Sequence, residues 1–219
     1  MENTADVIIR QETEADHKAV ETLIRNAFWN VNVPGCDEHY LAHIMRGHRD
    51  FIPELDLVAE LSGRIIGSIM YTRSWLTDEK GCEKEIVTFG PVCIDPEFQR
   101  QGFGKRLICT SLERAAEMDY DAAVIFGHPG NYISIGFKSC KRYNITAADG
   151  SFPCAMLAVE LREGSLSGHK WEYRESSVFD YDSAEAERFD SLFEPKVKAH
   201  TRSQEEFFIY SHCAFRENF

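Results

Sequence analysis

A strand, a glycine-containing loop, a helix and a second strand follow one another in the middle of the chain, and this unit constrains the fold most. The apolar run KEIVTFGPVCI ends at Ile94, the loop QRQGFGKR occupies 99–106, LICTSLERAAEM has helical periodicity, and DAAVIFG is a short apolar run. Parallel strands joined through a helix have a right-handed crossover in nearly all proteins. The sequence therefore predicts one parallel strand pair, and Gly90 with Pro91 should make its first strand bulge or part from a neighbour.

Shorter elements surround this unit. DVIIRQ predicts a first strand, Thr13 with Asp16 predicts a helix start, and an apolar stripe runs from Val20 to Phe28. DEHYLAHIMRG predicts a second short helix, and LDLVAEL with RIIGSIMYTRSW predicts a hairpin. YNIT and CAMLAVEL predict further short strands. This order of elements is that of an α+β fold with one mixed, mostly antiparallel sheet.

The acidic composition limits the partners of the chain. Its formal net charge is −12 at pH 7, whereas nucleic-acid binding needs clustered Lys and Arg. The seven cysteines form no CxxC pair, which is typical of free thiols in a reducing compartment. The N-terminal residues lack the features of a signal peptide, and no apolar run approaches the roughly 20 residues of a membrane span. We therefore expect a cytoplasmic protein with neither a nucleic-acid nor a membrane partner.

The composition changes near Gly164, where the chain becomes more polar. We predict a main domain over 1–163 and a C-terminal extension over 164–219, with a strand near KWEYRES and a helix near DSAEAERFDSLF. Disordered tails are poor in aromatic residues, so we expect the extension to pack on the core or on a second subunit, and a homodimer is left open. Its aromatic residues include Trp171, Tyr173, Phe179, Phe189, Phe193, Phe207 and Phe208.

The loop 99–106 carries the strongest sign of chemistry. A helix N-terminus presents unpaired backbone N–H groups and a partial positive charge. Gly102 and Gly104 allow a close approach to the backbone, and Lys105 and Arg106 add positive charge. That combination suits a pyrophosphate. The loop matches neither GxGxxG nor the Walker pattern, and from these residues alone an ordinary structural turn is an equal alternative.

Two further segments extend the pattern into a family resemblance. Gln99-x-x-Gly102-x-Gly104 resembles the Q/R-x-x-G-x-G/A motif of the GNAT acyltransferases, which use acetyl-coenzyme A. Residues 92–94 precede it where that family has its cofactor-facing strand, and YISIGF at 132–137 resembles the second family signature. The resemblance is sharp over about 56–140 and weak beyond about 162.

The resemblance implies both a fold and a cofactor site. The fold would be a three-layer α/β/α arrangement whose sheet is splayed at its parallel pair. Acetyl-CoA would be the co-substrate, and no metal is implied. The cofactor-binding residues would be Val92, Cys93 and Ile94 for the pantetheine arm and Gln99, Arg100, Gln101, Gly102, Phe103, Gly104, Lys105 and Arg106 for the pyrophosphate.

The resemblance also implies catalytic roles. Tyr132 would be the general acid that protonates the leaving thiolate, and a backbone N–H near Ile94 would hold the oxyanion. Some family members carry a Glu at the position of Thr88, which cannot act as a base near neutral pH. Glu85, Glu54 and His128 remain as alternatives, but each is better explained as a surface or turn residue, so none is named as the general base.

The histidine-rich segment HYLAHIMRGH has two interpretations. His39 and His43 have a spacing compatible with zinc, but the Glu of HExxH is absent and no distant ligand is indicated. The resemblance favours the wall of an acceptor pocket, formed by Trp29, His39, Tyr40 and His43. The two cysteines nearest the loop, Cys93 and Cys109, are expected in the core.

The leading functional hypothesis is an N-acetyltransferase that moves an acetyl group from acetyl-CoA to a primary amine of a small-molecule or peptide acceptor by direct transfer in a ternary complex. The alternative is a non-catalytic acyl-CoA-binding sensor or scaffold. Tyr132 favours the enzyme, whereas the missing Glu at position 88 favours the binding module. A third hypothesis is an interaction protein whose extension recruits a partner. The acidic surface suits a cationic acceptor such as a polyamine, an aminoglycoside or a lysine-bearing peptide.

Overall fold

A computed structural model describes residues 7–216 of the chain. Within that range the strands are β1 (Val7–Gln11), β2 (Leu57–Leu61), β3 (Arg64–Asp78), β4 (Glu83–Ile94), β5 (Ala122–Phe126), β6 (Lys138–Ser139), β7 (Ile145–Thr146), β8 (Phe152–Pro153), β9 (Met156–Glu160), β10 (Trp171–Arg174) and β11 (Ala214–Phe215). The α-helices are α1 (His17–Phe28), α2 (Glu38–Met45), α3 (Phe103–Glu117), α4 (Pro129–Tyr132), α5 (Ser183–Asp190) and α6 (Arg202–His212).

The main sheet is mixed, as predicted. Its strand order is β1-β2-β3-β4-β5-β9-β6, with β10 pairing β3 and β7, and β8 pairs β11 separately. Strands β4 and β5 are parallel, and among the described residues their one register pair is Val87 with Ala123. Strand β4 continues to Ile94 through Gly90 and Pro91, whose peptide bond is cis. The α+β class and the parallel pair inferred from the strand–loop–helix–strand unit are confirmed.

The chain divides into two compact units, which strands β3 and β4 both enter. The first comprises residues up to Tyr71, Gly90–Ser111 and Ser177–Gln204, and the second comprises Thr72–Phe89, Leu112–Ser176 and the residues from Glu205 onward. These units do not follow the boundary near Gly164 that the composition indicates, and that boundary stays a prediction.

Helices cover both faces of the sheet in the first unit. Helices α1 and α2 pack in one apolar cluster with Met70 and Cys93. The neighbouring residue Tyr71 shares a 2.7 Å hydrogen bond with the Ser111 hydroxyl of α3. Successive side chains of a strand point to opposite faces, so α1 and α2 lie on one face and α3 on the other. The predicted α/β/α layering therefore holds here.

A second apolar cluster lies in the second unit. It includes Leu76, Ile86 and Val124 from the sheet together with Trp171 and Tyr173 of β10. Strand β10 pairs with β3 over Trp75–Asp78. The chain beyond Gly164 thus contributes a sheet strand where the sequence predicted one, and α5 lies where the sequence predicted a helix.

The described residues contain no helix that is long and apolar enough to cross a bilayer.

Candidate functional site

The loop that joins β4 to α3 is held by a turn built on Asp95. The Asp95 carboxylate accepts a hydrogen bond from the Glu97 N–H at 3.0 Å and pairs with Arg64 at 2.7 Å. The Gln99 side-chain amide donates to the Ile94 carbonyl at 3.0 Å. These contacts fix the path of the chain from the end of β4 to the start of the helix.

Helix α3 begins directly after a left-handed residue. Gly102 has φ +89°, a value that favours glycine. Phe103 anchors the first turn in the core, and the Arg106 N–H donates to the Gly102 carbonyl at 3.0 Å. The N–H groups of Phe103, Gly104 and Lys105 precede this first intrahelical bond, so they have no acceptor within the helix. N–H groups without an acceptor at a helix N-terminus are suited to binding an anion.

Gly104 differs from Gly102 because the protein itself does not require a glycine there. Its φ is not left-handed, and a Cβ built at this position meets one atom within 4 Å, the Ile94 Cγ1 at 3.4 Å, which is an ordinary contact. A side chain would therefore point into open space at the helix N-terminus. The missing side chain leaves that space accessible to a ligand.

The polar side chains of the loop lie on the outside. Arg100, Gln101, Lys105 and Arg106 are exposed, and Arg100 has a positive φ of 64°. The Gln101 amide donates to a backbone carbonyl of the preceding turn at 3.3 Å. Three cations thus stand around one helix N-terminus in a chain that is acidic overall.

Residues 92–94 end β4 beside this helix start. Val92 is half-buried, Cys93 packs in the α1–α2 cluster, and the Ile94 side chain lies where a Cβ at residue 104 would meet it. Burial raises the pKa of the Cys93 thiol to about 12, so the sulfur is protonated at neutral pH and belongs to the core. The same expectation was wrong for Cys109, which is only half-buried because the inward face of α3 passes through Leu107 and Ile108.

Tyr132 ends the short helix α4, just after β5. Its ring lies 5.9 Å from that of Phe89 and 5.7 Å from that of Phe137, measured between centroids. Burial, and secondarily Tyr210, raises the pKa of its phenol to about 12. The hydroxyl is therefore protonated at neutral pH, as a proton donor must be.

Gly127 sets the position of the Tyr132 ring. A Cβ at this residue would lie 2.5 Å from the Tyr132 Cε2, closer than real contacts allow. Gly127→Ala is expected to displace the ring and to lower the free energy of unfolding by about 1–3 kcal/mol, as overpacking does. Urea denaturation measures this loss, and the same substitution in a Tyr132→Ala background is the control. An equal loss in both backgrounds would show that the clash does not involve the ring.

The residues considered as a general base from sequence have other roles or positions. Thr88 is buried, donates to the Ser74 hydroxyl at 2.8 Å and shares a 2.6 Å hydrogen bond with the Tyr173 hydroxyl. Glu85 is exposed and pairs with Arg73 at 3.3 Å. Thr88 thus belongs to a buried hydroxyl network, and Glu85 to a surface ion pair.

Neither of the other two candidates is buried. Glu54 is exposed. His128 is exposed as well, and its Nδ1 accepts a hydrogen bond from the Gly130 N–H at 3.1 Å. This bond caps the short helix α4 and occupies the lone pair that a base would need.

His39 is a core residue and cannot line an open pocket, which corrects the expectation for it. It is fully buried, its ring lies 5.5 Å from Phe189 and 5.2 Å from Phe193, and its Nε2 is 3.1 Å from Asp190 Oδ1. Asp190 in turn receives the Arg25 guanidinium at 2.6 Å. Burial lowers the pKa of the imidazole, so its neutral form is favoured.

The other three residues expected at the pocket wall also have protein partners. The Trp29 indole N–H donates to the Val197 carbonyl at 3.0 Å, and the Tyr40 hydroxyl donates to Glu185 at 2.9 Å. His43 lies 3.0 Å from Glu21. The sequence could not predict the contacts of Trp29 and Tyr40, because Val197 and Glu185 come from the extension.

Sequence reasoning missed Glu38. It lies in the first turn of α2, half-buried, and its Oε1 accepts a hydrogen bond from the Asn32 side chain at 2.9 Å. Burial, and secondarily Asp37, raises its pKa to about 7. The available signal was its position, since an acidic residue three places before Leu41 lies on the apolar face of the helix.

One group of potential metal ligands occurs in the described part of the chain, at the β3–β4 turn. Asp78, Glu79 and His169 bring their ligand atoms within 4.8 Å of one another. The Asp78 carboxylate accepts hydrogen bonds from the N–H groups of Lys80 and Cys82, both at 2.8 Å. The turn itself thus accounts for this carboxylate.

Comparison with known proteins finds one matching family model and a similar curated protein. The family model described as "Acetyltransferase (GNAT) family" matches residues 22–139. The uncharacterized N-acetyltransferase YjhQ of Escherichia coli (strain K12) is 31% identical over 101 residues, which cover 46% of this chain and 52% of that protein. The match therefore spans about half the length of this curated relative.

Two solved structures resemble the fold over most of their length. The GNAT family N-acetyltransferase YhbS from Escherichia coli, solved in complex with CoA, has a TM-score of 0.70 at 22% identity and covers 83% of this chain and 96% of its own. A GNAT family acetyltransferase from Brucella melitensis, solved with acetyl-CoA, has a TM-score of 0.63 at 22% identity, with coverages of 80% and 98%. At this identity the likeness concerns the fold.

Proposed function

The chain belongs to the acetyltransferase (GNAT) family, and from this premise we propose that it transfers an acetyl group from acetyl-CoA to a primary amine of a small-molecule or peptide acceptor. The transfer is direct: the amine nitrogen attacks the thioester carbonyl in a ternary complex. The observation that carries this proposal is the α3 N-terminus, where Gly104 leaves the backbone donors open.

Coenzyme A binding is supported by the charge and shape of the loop. A pyrophosphate accepts hydrogen bonds from N–H groups at a helix N-terminus, and the helix dipole favours its negative charge. The side chains of Lys105 and Arg106 add charge there, and Arg100 stands on the adjacent turn. The similar structures from Escherichia coli and Brucella melitensis hold CoA and acetyl-CoA. We assign Gln99 to Arg106 to the pyrophosphate on this basis.

The pantetheine arm is assigned to the main chain of Val92, Cys93 and Ile94. The pairing of β4 with β5 is limited, among the described residues, to Val87 and Ala123, which supports a strand end available for amide contacts. A backbone N–H near Ile94 is the proposed oxyanion donor. Such donors are typically worth several kcal/mol in acyl transfer.

Tyr132 is the proposed general acid. Direct transfer forms a C–N bond and breaks the C–S bond, and the departing thiolate takes a proton. A phenol with a pKa of about 12 keeps its proton at physiological pH until the thiolate develops.

The cysteines support a cytoplasmic location for this activity. Among the described residues, which include all seven, no disulfide bond is formed, as is usual in a reducing compartment, although the sulfurs of Cys154 and Cys213 lie 2.6 Å apart. We extend the proposal to that location.

A thiol-release assay tests the function. Purified protein with acetyl-CoA is tested against spermidine, kanamycin and Nα-acetyl-lysine amide, while calorimetry measures coenzyme A binding separately. We expect binding of coenzyme A and amine-dependent release of thiol, with the N-acetylated product identified by mass spectrometry. Binding without turnover on any amine would favour the sensor or scaffold, and absence of binding would reject both.

A further inference from the structure

Glu38 occupies an unusual place on helix α2. Three apolar residues, Leu41, Ala42 and Met45, follow it at i+3, i+4 and i+7, and all are buried in the cluster that also contains Cys93. Residues with this spacing share one helix face. Glu38 therefore lies on the face of α2 that packs towards the end of β4, although it is charged.

The carboxylate of Glu38 is hydrogen-bonded but carries no ion pair. Its Oε1 accepts from the Asn32 amide at 2.9 Å and its Oε2 accepts from the Asp37 N–H at 3.2 Å. Each carboxylate oxygen has two acceptor positions, so capacity remains on both. Within the described residues no Lys, Arg or His lies at ion-pair distance from Glu38.

Among the described residues, the one charged group that acts electrostatically on Glu38 is Asp37, which adds no positive charge. Asp37 lies on its own turn, and Cys36 precedes the helix. From the packed elements the facing groups are Tyr181, which precedes α5, and Cys93 of β4. Burial, and secondarily Asp37, raises the pKa of Glu38 to about 7. Burial is also the main cause of the raised pKa of Cys93, to which Asp95 and then Glu38 add smaller contributions. Glu38 is thus one of the charged groups near Cys93, on the strand assigned to the pantetheine arm.

The neighbouring carboxylates of Asp37 and Glu38 favour the binding of a cationic ligand. A half-buried carboxylate is costly to ionise unless a positive charge approaches it. An ammonium supplies that charge, and it carries the proton that must leave before its nitrogen can attack a thioester.

We propose that Glu38 binds the protonated amine of the acceptor and accepts one of its protons, which makes it the general base of the transfer and restricts acceptors to amines that arrive as cations. This inference rests on the proposed function. The proton passes from the ammonium to a Glu38 oxygen, and the freed lone pair forms the bond to the carbonyl carbon. The C–S bond then breaks and the general acid protonates the thiolate. The nitrogen, now bonded to the acetyl carbon, loses its second proton, which restores the general acid by way of solvent, and Glu38 returns its own proton to solvent.

The test compares Glu38→Gln and Glu38→Asp with wild type. The matched control is Glu85→Gln, the same chemical change at an exposed surface pair. The assay uses whichever of spermidine, kanamycin or Nα-acetyl-lysine amide wild type acetylates. We expect Glu38→Gln to lower kcat/KM by roughly 10²-fold, Glu38→Asp to restore part of it, and coenzyme A affinity to stay unchanged in all three variants.

The pH profile separates a base from a structural residue. Since Glu38 must be ionised to accept a proton, log kcat/KM of wild type should rise with pH up to about 7 and then level. Glu38→Gln should lack this rise. Carbon-13 NMR of glutamate-labelled wild type, assigned by comparison with Glu38→Gln, should show a carboxyl titrating near pH 7.

The outcomes distinguish this inference from the proposed function. Turnover by wild type with undiminished kcat/KM in Glu38→Gln would overturn the role of Glu38 and leave the function intact. A Glu38 signal that titrates in the ordinary carboxyl range would overturn it as well, even if the variant proves unstable. Absence of wild-type turnover with every amine would reject the proposed function, and the role of Glu38 as general base would be rejected with it.

Discussion

Replacing Gly104 by valine is expected to weaken coenzyme A binding by at least roughly 10²-fold while the protein stays folded. A charge-assisted hydrogen bond contributes about 1.5–3 kcal/mol, and about 1.4 kcal/mol corresponds to a tenfold change in affinity. The valine methyls would occupy the space in which phosphate oxygens meet the first N–H groups of α3. Losing one or two of these bonds accounts for the expected effect.

The open space around residue 104 allows a valine there without destabilising the fold, so a loss of coenzyme A affinity can be interpreted. The Cβ of residue 104 would make one ordinary contact, at 3.4 Å from the Ile94 Cγ1, so the free energy of unfolding should change little. Gly47→Val is a matched control, since a Cβ there meets only the Ile44 carbonyl oxygen at 3.8 Å. Calorimetry should find wild-type affinity in Gly47→Val, an intermediate loss in Gly104→Ala and the full loss in Gly104→Val. Wild-type affinity in a folded Gly104→Val protein would reject the pyrophosphate assignment.

Local sequence patterns predicted the secondary-structure elements that are determined by residues close to one another in the chain. The apolar stripe of α1, the Ser62-Gly63 turn of the hairpin and the strand–loop–helix–strand unit each depend on residues close in sequence. The hairpin formed as predicted, with Leu61 opposite Arg64. Because the parallel pair follows from the handedness of one crossover, it too could be inferred without any distant contact.

Contacts between distant segments could not be predicted in this way. Helix α6 was missed because none of its described residues is buried, so no apolar stripe marks it. His39 was misinterpreted because Phe189 and Phe193, which bury it, lie about 150 residues later. Polar residues on a helix look similar in sequence whether a later segment covers them or leaves them open.

The candidate general base could be identified only from the packing of the folded chain, and not from the sequence. Glu85 and Glu54 lie nearer the family signatures in sequence, yet the structure leaves both exposed. Glu38 has no motif around it, but α2 places it on the face that packs with Cys93. Its altered pKa arises from burial and from Asp37, neither of which can be evaluated before the helix is placed.

Tyr132→Phe is expected to lower kcat by roughly 10²-fold with little change in coenzyme A affinity or thermal midpoint. General acid catalysis is typically worth about 10² to 10⁴ in rate. The leaving thiol has a pKa of about 8.5 if it resembles cysteine, which makes it a fairly good leaving group and favours the lower end of that range. Phenylalanine keeps the ring that packs against Phe89 and Phe137, so the substitution removes only the proton.

A tyrosine elsewhere in the same unit provides the control for this experiment. Tyr143 is half-buried and its ring faces the Lys138 ammonium at 5.6 Å, a contact that Tyr143→Phe preserves. Its kcat should equal that of wild type. With an acetylated amine in hand, steady-state kinetics that give Tyr132→Phe an undiminished kcat would make Tyr132 a packing residue. Because burial raises the phenol pKa to about 12, the wild-type rate should also show no fall due to Tyr132 as the pH rises to about 10, where an ordinary tyrosine would lose its proton.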